Sequence, residues 1–436
     1  MNTEGKKISV IGLGYIGLPT AAMIAATARH VIGVDINAEI VAMINAGETH
    51  IVEPALNQLV RKVTTEGYLR AMTSPQTADV FLITVPTPFQ QHYEPDLSYV
   101  EAAAASIAPV LKKGDLIILE STSPVGTTAR LSEQLATLRN DLIFPHQSSE
   151  NVDIHIAYCP ERVMPGKIMQ ELIANDRIIG GMTAACAEKA RDFYKLFVKG
   201  NCILTNCQTA EMTKLTENAF RDVNIAFANE LSMICDRLNI NVWELIQLAN
   251  HHPRVNILQP GPGVGGHCIA VDPWFIVHAA PEEAKLIRAA REVNDAKPTF
   301  VVQKIKAAAT KILKPVIACL GLTYKADTND VRESPAVEVV RQLFLDIAHY
   351  PLLIVEPHIH TLPNHIKANE RIQLVTLEKA LSAANIIVLM VNHKEFHFLN
   401  DMQLKQKIFI NMVSDKQLKI SSADAELIEY DELIAV

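Results

Sequence analysis

The sequence has no surplus of positive charge: 40 Lys and Arg stand against 48 Asp and Glu, a formal net charge of −8. That balance argues against a nucleic-acid-binding surface, although a local basic pocket for phosphates remains compatible with it. No stretch has the character of a membrane span, and the uncharged run from 255 to 271 is broken by prolines and glycines that lipid would not tolerate. Cysteine is sparse. Its positions at 159, 186, 202, 207, 235, 268 and 319 are odd in number and show no paired metal-ligand spacing, so neither a disulfide framework nor a metal is expected. With no solenoid repeat, no low-complexity tail and no secretory leader ahead of the first strand, the expectation is a reduced, cytoplasmic protein. What remains is 436 residues, 49% hydrophobic and 20% charged, the profile of a compact α/β protein too long for one core.

Lys7 to Leu13 reads as a buried strand and runs into Gly12-Leu-Gly14-Tyr15-Ile16-Gly17. A helix over Thr20–Ala28 and a strand over His30–Val34 follow, closing on Asp35. This is strand, G-x-G-x-x-G, helix, strand and acid at the spacing of a dinucleotide-binding unit. The first glycine makes the tight turn, the second lets backbone approach a pyrophosphate, and the third lets helix pack on sheet. The helix N-terminus favours the phosphates. Asp35 would accept from a ribose 2′-OH and repel a 2′-phosphate, so NAD is expected over NADP.

Further strands of a parallel sheet are expected over Val80–Val85, Leu116–Glu120, His155–Tyr158 and Arg177–Ile179, alternating with helices such as Leu97–Leu111 and Thr127–Leu138. Their polar endings fall where open α/β sheets place ligands: Val85-Pro-Thr87-Pro, Glu120-Ser-Thr122-Ser-Pro and Cys159-Pro-Glu161-Arg162. Pro, Ser and Thr are also ordinary turn residues, and both readings of Thr87 and Thr122 stand. For Glu161, a substrate-facing carboxylate competes with a solvated surface pair.

From Gln208 to about Ala249 the pattern is helical, one long helix and a shorter one. Glu211, Lys214 and Asn218 share a face that Arg221 extends; such a stripe is ordinarily the solvent side, opposite Met212, Leu215, Ala219 and Ala226. A loop with glycine at 261, 263, 265 and 266 then ends in Cys268, with Asp272 four residues on. Glycine at that density lets backbone approach a ligand closely, and a thiol there is placed as a covalent nucleophile, against the plainer reading of a Pro/Gly turn with a small apolar cysteine. A helical run from Pro281 to Leu313, interrupted at Pro298, leads to a second parallel α/β unit with strands over Val316–Leu322, Leu352–Val355, Ile386–Val391 and Ile408–Met412 and a helix over Ala336–Phe344. The fold class is therefore α/β, two Rossmann-like doubly wound parallel-sheet domains bridged by a central domain of long helices. The expected bounds are 1–207, 208–313 with the cysteine loop, and 314–436.

This combination resembles the nucleotide-sugar 6-dehydrogenase family, which includes UDP-glucose and GDP-mannose dehydrogenases, over essentially the whole chain. The resemblance is carried by Gly12–Leu18, Val85–Pro88, Glu120–Thr128, Pro160-Glu161, Glu211 with Lys214 and Asn218, Gly265-Gly-His-Cys268 with Asp272, and Gly321–Pro335. Arg162-Val163-Met164 and Ile269-Ala-Val271 depart from the UDP-glucose branch, and His252 through Cys268 is similar to the UDP-N-acetylmannosamine branch, with UDP-N-acetylglucosamine as the rival substrate. The resemblance implies oxidation of a C6 alcohol to a carboxylate with two NAD and water, with Cys268 as nucleophile. Lys214 and Asn218 would serve the substrate oxygen, Glu161 the hydrolytic water, and Thr122 and Asp272 its positioning. It implies NAD on the glycine turn with Tyr15, Ile16, Asp35, Thr87, Thr128 and Arg332. A UDP-sugar would meet Arg162, Val163, Lys214, Asn218, Arg221, His252, Arg254, Gly265, Tyr324, Lys325 and Lys416. It further implies a homodimer through the central helices that shares its active sites. From the residues alone, a two-electron dehydrogenase and a non-catalytic nucleotide-sugar sensor stay open.

Overall fold

The computed structural model describes residues 5–90, 93–347, 349–363, 366, 370–399 and 401–413. It divides into two compact units, Met1–Glu217 and Asn218–Val436.

The first unit is built on eight strands: β1 (Ile8–Ile11), β2 (Val31–Val34), β3 (Leu69–Met72), β4 (Val80–Ile83), β5 (Leu116–Leu119), β6 (His155–Tyr158), β7 (Arg177–Gly181) and β8 (Cys202–Asn206). Their order across the sheet is β3-β2-β1-β4-β5-β6-β7-β8. Leu116 and Ile118 of β5 enter the core on one face, and Ile117 and Leu119 enter the core on the other. A strand buried on both faces cannot alternate polar with apolar, which is why these strands read as continuous hydrophobic runs. Each such Leu or Ile contributes about 1.5–3 kcal/mol on burial. The chain winds outward from β1 through β3, then restarts at β4 on the other side of β1. That reversal opens a crevice at the strands' carboxyl ends.

The first sheet, expected to be parallel throughout, is mixed. β7 runs antiparallel to β6, pairing Ala157 with Gly181, and β8 is parallel to β7. The segment between β6 and β7, with only the short helix Ile168–Ala174, does not cross the sheet. It returns from the same end it left, so the start of β7 lies beside the end of β6. β3 and β8 were not expected as strands at all. Both lie at the sheet's edges, where burial is incomplete: β8 has no buried residue and β3 alternates.

The second unit holds β9 (Ile317–Leu320), β10 (Leu352–Val355), β11 (Ile372–Leu374), β12 (Ile386–Leu389) and β13 (Ile408–Asn411), in the order β11-β10-β9-β12-β13. Every pairing is parallel. Ile317 and Cys319 face one core and Ala318 and Leu320 the other, the same two-sided burial as in the first sheet. The reversal falls between β9 and β12.

The helix Cys207–Leu238 crosses the boundary between the units in sequence, and Asn241 caps the next helix, Val242–Ala249, by accepting the Trp243 and Glu244 N–H groups at 2.9 and 3.1 Å. The expected break at Pro298 is absent: the helix Lys285–Ala309 continues through it. An interior proline costs about 3 kcal/mol or more. Here Ala290, Asn294, Val301, Val302, Ile305 and Ala308 are buried along the same helix, and their packing outweighs that cost. Arg291 of this helix meets Asp222 of the long helix at 2.7 Å, both fully buried, which fixes one helix against the other. No helix among the described residues is long and apolar enough to cross a membrane.

Candidate active site

In the first unit the glycine turn follows β1 directly. A Cβ at Gly17 would stand 1.8 Å from the Gly12 carbonyl oxygen, so no other residue fits there without opening the turn. Thr84, just past β4, donates to that same carbonyl at 2.7 Å and holds the turn from the neighbouring strand. Gly14 and Tyr15 are exposed and Ile16 is half-buried. Asp35 accepts the Leu13 N–H at 3.0 Å and the Asn37 N–H at 2.9 Å, which anchors its carboxylate beside the turn. Each carboxylate oxygen has a second lone pair for a ribose hydroxyl. These residues fit NAD.

The polar endings of β4 and β5 are stitched together: the Thr87 hydroxyl donates to the Thr122 carbonyl at 2.5 Å, and Ser121 donates to the Val85 carbonyl at 2.6 Å. Thr128 is fully buried, and its hydroxyl and N–H both go to Glu211, at 2.6 and 2.8 Å. With the Gly126 N–H at 2.6 Å, Glu211 thus caps the helix Thr127–Leu138. A carboxylate suits that position because the helix N-terminus carries partial positive charge. Burial pushes the Glu211 carboxyl up, and the Thr128 and Gly126 donors oppose it.

Glu161 is buried at the end of β6 and pairs with Arg177 at 2.6 Å; its other oxygen accepts the Arg162 N–H at 2.6 Å. The antiparallel turn into β7 makes this pair, because it brings the first residue of β7 to the carboxyl end of β6. Nothing in the local sequence signals Arg177. The Arg162 side chain grips Glu217 of the long helix at 2.8 and 3.1 Å, and Val163 is half-buried. Beneath them Tyr194 donates to Glu120 at 2.5 Å, and the Arg177 guanidinium lies 5.4 Å from the Tyr194 ring centroid.

Glu120 is 3% exposed, and its Oε2 has no hydrogen-bond partner. Burial pushes its carboxyl from 4.5 up to about 7, with Arg177 pulling down, Glu161 pushing up and the Tyr194 hydrogen bond pulling down. A carboxyl raised in this way favours the folded state below pH 4.5, and that contribution is lost as pH rises through about 7. The loss is on the order of 3 kcal/mol. Glu120→Gln has no proton to lose at this position. Urea midpoints at pH 5 and pH 8 should therefore fall less between the two conditions for the variant than for the parent; equal falls would show that Glu120 does not titrate in this window.

In the second unit three of the expected residues meet. Asn218 donates its amide to Asp272 at 2.5 Å, and the Asp272 N–H goes to the Cys268 carbonyl at 2.9 Å. Asp272 is buried as the first residue of the helix Asp272–Ala279, where a carboxylate is favoured, and Cys268 is half-buried just before it. Lys214 stands one turn before Asn218 on the long helix and is half-buried, so this stripe is not simply a solvent face. None of the seven cysteines is disulfide-bonded.

The glycines before Cys268 answer to protein as well as to any ligand. A Cβ at Gly265 would meet the Glu333 carbonyl at 2.4 Å, and Gly266, at φ +83°, donates its N–H to the Arg332 carbonyl at 3.1 Å. The thiol loop therefore lies directly on the loop that carries Tyr324, Lys325 and Arg332. Tyr324 is half-buried and Lys325 exposed, while Arg332 reaches Asp330 at 2.6 Å. Arg221, His252 and Arg254 are exposed. Lys416 lies outside the described residues.

A glycine-turn dinucleotide sheet, a second sheet of the same winding and a thiol in a glycine loop define a nucleotide-dependent dehydrogenase of the α/β class. The chain matches the UDP-glucose/GDP-mannose dehydrogenase family in all three parts: NAD binding domain at 6–198, central domain at 208–296 and UDP binding domain at 318–418. It is 61% identical to an NDP-N-acetyl-D-galactosaminuronic acid dehydrogenase of Ralstonia nicotianae, covering 94% of this chain and 96% of the relative. It is also 61% identical to a UDP-N-acetyl-D-mannosamine dehydrogenase of Campylobacter jejuni, covering 89% and 96%. The solved UDP-N-acetyl-mannosamine dehydrogenase of Staphylococcus aureus superposes with a TM-score of 0.81 at 40% identity, covering 96% of this chain and 97% of that one. The chain belongs to the UDP-glucose/GDP-mannose dehydrogenase family, and it is an NAD-dependent oxidoreductase.

Proposed function

We propose that this enzyme oxidises UDP-N-acetyl-D-mannosamine at C6 to UDP-N-acetyl-D-mannosaminuronate, using two NAD and one water. The observation that carries the chemistry is the Cys268–Asp272–Asn218 arrangement on the glycine loop; the names of relatives such as the Campylobacter jejuni enzyme support the sugar. NAD, when bound, supplies the hydride acceptor for each of the two oxidations. Lys214 takes the C6 hydroxyl proton in the first, leaving an aldehyde. The Cys268 thiolate adds to the aldehyde carbon, forming a C–S bond and a tetrahedral thiohemiacetal. The second N–H of Asn218 and the Lys214 ammonium stabilise its oxygen. Loss of hydride from that carbon leaves a thioester, and water, deprotonated by Glu161 and placed by Thr122 and Asp272, breaks the C–S bond and returns the thiol.

In this reading residues 1–207 bind NAD, 208–313 carry the thiol and the dimer contact, and 314–436 bind the UDP-sugar. Phe220, Phe227, Ile234 and Leu238, exposed by 68%, 52%, 47% and 60%, form one stripe along the long helix. Their spacing is that of a helix-pairing seam, and so large an apolar face supports a homodimer, with Arg254 reaching the partner's site. The reduced thiols support a cytoplasmic location.

The Ralstonia nicotianae relative's name favours a second reading, a sugar of the N-acetylgalactosamine configuration. Purified enzyme is assayed with the UDP forms of N-acetylmannosamine, N-acetylglucosamine and N-acetylgalactosamine. The expected result is two NADH per sugar and a kcat/KM at least about tenfold higher for the mannosamine form, a difference of about 1.4 kcal/mol in transition-state binding. Preference for another epimer overturns the sugar; one NADH per sugar overturns the double oxidation.

A further inference from the structure

The loops leaving the second sheet converge on side chains that no step above uses. Asp327 follows β9, Glu356 and His358 follow β10, and His393 and Glu395 follow β12. Ligand atoms of Asp327, His358, His393 and Glu395 all lie within 4.8 Å of one another. His358 Nε2 is 3.5 Å from Glu395 Oε2 and 3.8 Å from Asp327 Oδ1, which is itself 3.8 Å from His393 Nδ1.

Two further observations set this group apart from an ordinary polar patch. His358 Nε2 and Glu395 Oε2 are buried atoms that face each other without a hydrogen bond to any protein group. Each has lost the partner it had in water, and a cation placed between the two would satisfy both at once. His393 is fully buried, and its Nε2 meets the Glu356 carboxylate at 3.1 Å. A carboxylate behind an imidazole is the arrangement that orients metal-bound histidines. The His393 Nδ1 on the cluster side accepts the Asp327 N–H at 3.0 Å.

We propose that these residues bind a divalent transition-metal ion of the zinc and cobalt class. His358 Nε2, Asp327 and Glu395 supply three ligands, and His393 supplies the fourth on releasing the Asp327 N–H. Imidazole nitrogens with carboxylate oxygens and no sulfur suit such ions, and two carboxylates balance the charge. Ligand atoms bonded at about 2.0–2.1 Å to a tetrahedral ion stand roughly 3.3 Å apart. The pairs at 3.5 and 3.8 Å close with shifts of a few tenths of an ångström, and the wider pairs, which reach up to 4.8 Å, close by side-chain rotation as His393 turns from the Asp327 N–H to the ion. The group sits at the carboxyl ends of β9, β10 and β12, around the reversal of the second sheet. Asp327 shares its loop with Tyr324, Lys325 and Arg332, so the ion fastens that loop to its two neighbours.

The test uses tag-free full-length protein, stripped with a chelator. Zn2+ is titrated by calorimetry, Co2+ by absorption, and melting is followed with each. The expected result is one ion per chain at this group, a Co2+ spectrum with d–d bands and no thiolate charge-transfer band, and a higher melting temperature. His358→Ala and Glu395→Gln should each weaken binding at least about tenfold. Glu395 lies near the surface, so its variant tests the site even where the His358 variant folds poorly. The proposal is overturned if neither ion binds, if a thiolate band places the ion on a cysteine, or if both variants bind as tightly as the parent.

Discussion

Cys268→Ser is expected to lower the rate of acid formation by about 10³-fold or more, equivalent to roughly 4 kcal/mol of transition-state stabilisation. In the proposed mechanism the two oxidations depend on sulfur differently. The first removes hydride from an alcohol carbon and needs only a base, so the variant should still produce a first NADH and an aldehyde. The second needs a tetrahedral carbon that can lose hydride. A serine hydroxyl, ionising far above neutrality, adds to the aldehyde much less readily than a thiolate. Single-turnover mixing with UDP-sugar, NADH read by absorbance and aldehyde captured with hydroxylamine, separates the two steps. Because Cys268 is half-buried and the exchange is nearly isosteric, melting temperature and NAD affinity should barely move. Acid formation at parental speed in this variant would overturn covalent catalysis while leaving the fold and family untouched.

What could be read from the chain before its structure follows the range of the interactions. The dinucleotide unit was legible because Gly12, Gly17 and Asp35 lie within one strand–helix–strand repeat, where each residue's role is set by neighbours close in sequence. Cys268 stood out for the same reason, but its glycines were legible only in part. Gly265 is required by the Glu333 carbonyl, far along the chain, as well as by any approach to a ligand. Arg177 was invisible as a partner of Glu161, because their meeting depends on β7 running against β6, and strand direction leaves no mark on composition. Glu211 read as one member of a polar helical stripe, yet it is fully buried as the cap of a helix that starts at Thr127. The group at Asp327, His358, His393 and Glu395 draws on three loops separated by whole strand–helix repeats. Only the winding of the second sheet brings them to one place.

Arg177→Met is expected to destabilise the protein by about 3–5 kcal/mol, the typical consequence of removing one partner from a buried ion pair. Arg177 is 2% exposed and Glu161 8%, with Glu120 buried close by, so the variant strands two carboxyls around an apolar side chain. Much of the loss is the desolvation of a charge left alone. Arg177→Met combined with Glu161→Gln should therefore regain most of the stability, because a neutral amide does not need the guanidinium. Denaturant midpoints for the parent, both single variants and the double variant form a cycle whose coupling term isolates the pair. The loss in the single variant should also be larger at pH 8 than at pH 5.5, since a stranded carboxyl is relieved by taking up a proton at the lower pH. Activity supplies the separation from function. If Glu161 deprotonates the hydrolytic water, the double variant is stable yet releases acid slowly and accumulates thioester on Cys268, detectable as a mass increase on the intact chain. A stable double variant that turns over at the parental rate would make Glu161 and Arg177 a structural pair alone, and the hydrolytic base would have to be sought among other carboxylates.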